Sequence, residues 1–137
     1  MSAQPSQKSR RVLVADDDQT ILRLITSIIE KAGYVPVTVR DGREALKVLQ
    51  KDADFAACIF DVMMPHMQGP EVIRYMRSDQ RLANIPVMIM TAQESPRFPT
   101  DGFSAGAIVF LPKPFKTSQL QSTLRLLLSI GGRDKQG

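Results

Sequence analysis

The stretch VLVADDDQT, residues 12–20, decides how the chain is read. Four apolar residues run straight into Asp16, Asp17 and Asp18. A short run of Val and Leu without polar alternation is the pattern of a strand buried on both faces, as in a parallel sheet. The three acids then stand at the carboxyl end of that strand, where open α/β sheets build their sites.

Working outward, four more runs of this kind follow: YVPVTV (34–39), FAACIF (55–60), PVMIMT (86–91) and AIVFL (107–111). Amphipathic stretches separate them. QTILRLITSIIEKAG puts Ile21, Leu24, Ile25, Ile28 and Ile29 on one helical face and ends at Gly33, a C′ residue. Asp41 is placed to cap a helix over DGREALKVLQ, and Pro70 suits the first position of GPEVIRYMRS. TSQLQSTLRLLLSI stripes Leu120, Leu124 and Leu127 and is expected to stop at Gly131 and Gly132. Strict alternation of strand and helix predicts an α/β, doubly wound five-stranded parallel sheet with helices on both faces, a flavodoxin-like three-layer sandwich. Pro36 belongs on an edge strand, which the order 2-1-3-4-5 provides. In that order the ends of strands 1 and 3 are neighbours.

A chain of 137 residues suits one domain, expected over 10–131, with polar tails at 1–9 and 132–137. No apolar run reaches the ~18 residues of a membrane span, and the first residues lack a signal peptide's apolar core. One cysteine, Cys58, leaves no internal disulfide and points to a reducing cytoplasm, with Cys58 itself a packing residue. The net charge of +4 is dispersed, without a basic run interleaved with aromatics, so direct nucleic-acid binding is not expected.

The remaining strand ends carry Asp61, Thr91 and, just past the fifth strand, Lys113. Three carboxylates, a hydroxyl and an ammonium therefore meet on one rim. Two carboxylates about 4 Å apart repel by about 4 kcal/mol at an effective dielectric of about 20. Either one takes up a proton or a cation sits among them. All-oxygen ligands with room for water suit Mg²⁺, or Mn²⁺ in its place. Zinc is disfavoured, because His66 is the only histidine and lies in a turn-like PHMQG as a solvated loop residue. A cation flanked by Lys113 and Thr91 receives a phosphoryl group well, and a carboxylate can attack it to give an acyl phosphate.

VLVADDD, IFDVMMPHMQG, MTAQ and AGAIVFLPKPF, in this order and spacing, make the chain similar to the receiver domain of bacterial response regulators, the CheY-like superfamily. The resemblance implies that Asp61 is the phosphoacceptor, supplied by a histidine kinase or a histidine phosphotransfer protein. It implies Mg²⁺ held by Asp17, Asp61 and the Met63 backbone carbonyl, with Asp16 acting through water. Asp18 is left to cap the first helix. Lys113 would contact a phosphoryl oxygen, its bond to Pro114 held in cis. Thr91 would turn to the phosphate and Phe110, the switch aromatic, would move with it, changing a protein-binding surface around the last two helices and strand 5.

Two departures touch that surface. Pro96, Pro99 and Gly102 crowd the segment between Thr91 and Lys113, predicting a helix there that is short, late-starting or mobile, and Pro112 replaces a small polar residue before the lysine. The reading is a stand-alone signalling receiver rather than an enzyme, its output a contact with another, unidentified protein. One alternative is a phosphorylation-independent adaptor with the same fold. Another is an aspartate-dependent phosphatase, which Met63 disfavours by standing where such enzymes carry their second acid. DDDQT also lacks the glycines of a dinucleotide-binding turn.

Overall fold

A computed structural model describes residues 10–91 and 108–133. Its elements are β1 (Arg11–Ala15), α1 (Gln19–Lys31), β2 (Val35–Val39), α2 (Gly42–Lys51), β3 (Ala57–Asp61), α3 (Gly69–Arg77), β4 (Val87–Thr91), β5 (Ile108–Pro112) and α4 (Thr117–Arg133). The strands pair in parallel in the order β2-β1-β3-β4-β5, as the alternation predicts. Pro36 lies on edge strand β2.

Strand residues alternate between two separate cores because successive side chains point to opposite faces. Leu13, Cys58, Phe60 and Ile89 pack with Leu49 of α2 and with Val72 and Met76 of α3. Val12, Val14, Ile59 and Met90 pack with Ile25 and Ile29 of α1 and with Leu120, Leu124 and Leu127 of α4. Every residue of β3 and β4 is buried, which is why those runs read as continuous apolar sequence. Cys58 is wholly buried in the first core, and burial pushes its thiol far above the usual range, consistent with a packing role.

Helix ends follow local chemistry. The Asp18 carboxylate accepts from the N–H groups of Thr20 and Ile21 at 2.9 and 3.3 Å, and Asp41 accepts from Glu44 at 2.9 Å. Gly33 takes φ +89 after α1, where a side chain would be strained.

Some boundaries differ from the sequence reading. Helix α4 runs through Gly131 and Gly132 to Arg133, because glycine weakens a helix by about 1 kcal/mol without removing its hydrogen bonds. Pro70 sits at the second helical position, one residue later than expected, after an N-cap at Gln68. Strand β3 begins at Ala57 rather than Phe55. The helix expected around Pro96, Pro99 and Gly102 falls outside the described residues.

Replacing Asp18 by alanine removes a cap without touching the core. We expect Asp18→Ala to lower stability by about 1 kcal/mol in urea denaturation, with an unchanged m-value.

Candidate functional site

Register brings the acids together. Ala15 lies opposite Phe60 in the β1–β3 pair, so one step further along each strand come Asp16 and Asp61. Asp61 itself pairs with Met90 of β4, leaving Thr91 next on that strand. Thr91 pairs with Pro112 of β5, and its carbonyl accepts from the Lys113 N–H at 2.6 Å. Asp16, Asp61 and Thr91 are the buried polar residues among those described.

The carboxylates of Asp16, Asp17 and Asp61 each offer an oxygen within 4.8 Å of the others. Lys113 Nζ stands 3.2 Å from Asp61 Oδ1 and 3.9 Å from Asp16 Oδ2, and the Lys113–Pro114 bond that follows is cis. Burial raises the Asp16 carboxyl to about 6, opposed by the Asp18 N–H that donates to its Oδ1 at 2.8 Å. Repulsion from Asp61 adds to the rise. Asp61 is raised too, first by burial, with Lys113 and the Met63 backbone pulling the other way.

Three ionised acids against one ammonium leave two negative charges. Asp16 Oδ2 is buried and has no hydrogen-bond partner among the described residues, a costly state for a carboxylate oxygen. Both observations fit a hard divalent cation, and the donor set is all oxygen. Asp16, Asp17 and Asp61 could hold Mg²⁺ or Mn²⁺.

The other expected residues are placed as follows. The Met63 side chain is 65% exposed beside the site. Phe110, on β5 opposite Ile89, is 40% exposed. His66 lies apart from the acids' oxygen cluster, with an exposed side chain and its Nε2 4.0 Å from Asp41. It adopts φ 69, uncommon for a residue with a side chain.

Three supports escaped the sequence reading. A Cβ on Gly69 would come 2.6 Å from the Asp61 carbonyl, so only glycine lets α3 start this close behind the acid. Glu71 accepts from the Gln68 N–H at 2.8 Å, and its spacing three residues after the cap was a legible signal. Arg40 Nη2 donates to the Asp17 carbonyl at 3.2 Å, a contact from the residue just past β2 that no local pattern announces.

Comparison with known proteins agrees with this geometry. The family model of the response regulator receiver domain matches residues 12–125. Response regulator MprA of Mycolicibacterium vanbaalenii is 37% identical over 118 residues, which are 86% of this chain and 50% of that protein. The chain thus spans about half the length of the curated relatives it matches. Among solved structures, chemotaxis response regulator CheY4 of Vibrio cholerae superposes with a TM-score of 0.76 at 34% identity, over 89% of this chain and all of that one. The Francisella response regulator 1452 receiver domain gives 0.72 at 31% identity, over 87% of this chain and 96% of that one.

The raised Asp16 carboxyl binds its proton more tightly in the folded protein than in the unfolded one. Its contribution to stability is therefore fully present below about pH 4 and is lost as pH rises through about 6. In metal-free buffer we expect Asp16→Asn to raise Tm by several degrees at pH 7 and to change it little near pH 4. Thermal melts followed by circular dichroism check both arms.

Proposed function

The chain belongs to the response regulator receiver domain family, and on that premise we propose that it takes a phosphoryl group onto Asp61 from a histidine kinase or histidine phosphotransfer protein. In this reading an Asp61 carboxylate oxygen attacks phosphorus, the P–N bond to the donor imidazole breaks, and its electron pair stays on the leaving nitrogen. An acyl phosphate forms on Asp61. The observation that carries the proposal is Lys113 Nζ at 3.2 Å from Asp61 among three converging carboxylates.

Mg²⁺, when bound, supplies positive charge that neutralises the attacking acid and the incoming phosphoryl oxygens. Asp17 and Asp61 would hold it with the Met63 carbonyl, and Asp16 would orient its water. Lys113 serves a phosphoryl oxygen from the other side. Arg40 steadies the loop that carries Asp17 through the carbonyl contact.

Thr91 is the proposed sensor, because it is 2% exposed at the end of the strand next to Asp61. Its hydroxyl turns toward the phosphoryl group and Phe110 follows. The Phe110 ring reaches the surface on β5, so this pair biases a two-state surface around β5 and α4. Output through a protein contact there, in the cytoplasm, completes the reading. No helix among the described residues is long and apolar enough to cross a membrane.

Intact-mass spectrometry with acetyl phosphate and Mg²⁺ should show the gain of one phosphoryl group in the natural sequence and none in Asp61→Asn. Lys113→Ala should slow the gain roughly 10²-fold, as for loss of one preorganised charge donor. Unmodified protein under these conditions would refute the proposal.

A further inference from the structure

At the end of α1 remote from Asp18, a cleft of about 400 Å³ opens between α1 and α4. Nine residues of α1, Gln19 to Ser27, separate it from Asp18 by roughly 14 Å of helix, so it is a different place from the phosphoryl site. Buried Ile29 and Leu124 form its floor, and half-buried Ile28, Tyr34 and Leu128 its walls. The charged residues on its rim are the exposed Lys31 and Arg125, and no acid among the described residues lines it. Neither cation forms an ion pair with a described residue.

The outer face of α4 points the same way. From Thr117 to Ile130 the helix carries a single charge, Arg125, while Gln121 and Ser122 are exposed and Leu126 is 52% exposed. A helix facing only water ordinarily carries charges of both signs. Loss of Lys, Asp and Glu with retention of Arg is the composition of a protein-binding face.

We propose that this cleft docks an amphipathic helix of a partner protein, which lays leucine-type side chains on the Ile29–Leu124 floor and sets acidic residues against Lys31 and Arg125. A third helix fits a groove between two helices by ridge-into-groove packing. Charge excludes two other occupants. Residues 1–9 of this chain contain no acid. In a two-fold contact between copies centred on the cleft, Lys31 and Arg125 would face their own symmetry mates.

The probe is a synthetic helical peptide with leucines at i, i+3, i+4 and i+7 flanked by glutamates, and a control with lysines in their place. The glutamate peptide should bind and shift the amide resonances of Lys31, Tyr34, Gln121 and Leu128. Arg125→Glu should weaken it roughly tenfold, and the Lys31→Glu/Arg125→Glu double variant should prefer the lysine peptide. Asp61→Asn should bind unchanged, which separates this result from the fate of the phosphorylation proposal. Absence of binding, equal binding of both peptides, or shifts clustered elsewhere would overturn the proposal. Self-association that Arg125→Glu alters would assign the cleft to a second copy instead.

Discussion

Repulsion among the Asp16, Asp17 and Asp61 carboxylates is the constraint on which the functional reading turns. Parallel pairing of β1 with β3 forces Asp16 and Asp61 side by side, and the sheet's cores leave them no way apart. One ammonium, Lys113, offsets part of the charge. The remainder is an unfavourable arrangement that a buried apolar site would never keep for stability alone. Stability is given up locally, and the rest of the sheet supplies it.

That supply comes from ordinary packing. Each fully buried Leu, Ile or Phe side chain contributes about 1.5–3 kcal/mol by leaving water, and both faces of the sheet are lined with them. Close backbone approaches then hold the strained rim in place. Gly42 has no room for a Cβ, because the Met67 carbonyl lies only 1.9 Å from where that atom would be. The start of α2 is thereby held against the segment between β3 and α3, as Gly69 is held against Asp61.

Much of this was legible in the sequence, for identifiable reasons. Continuous apolar runs announced β1, β3 and β4 because two-sided burial leaves no polar positions. Pro36 announced the edge, and polar residues after apolar runs announced the rim. Asp18 sits on the helix cap as its place before QTILRL suggested, while Asp16 and Asp17 join Asp61 in the acid cluster. What stayed hidden depends on distance in three dimensions. The Arg40 contact joins residues 23 apart, and the Gly42 and Gly69 approaches depend on how loops cross. The α4 stop was misplaced because paired glycines were read as a terminator, whereas packing of the Leu120–Leu127 stripe carries the helix past them.

The separation of the two cores has a consequence for how such a chain can change. A strand side chain touches one layer or the other, so a substitution on the α1–α4 side is screened from the α2–α3 side by the sheet itself. The molecule is thus two half-domains sharing a common wall, each free to drift while the other is conserved. Exchanging α1 and α4 together between relatives should graft one molecule's contacts onto another's chemistry, whereas exchanging either helix alone would mismatch a single packed layer.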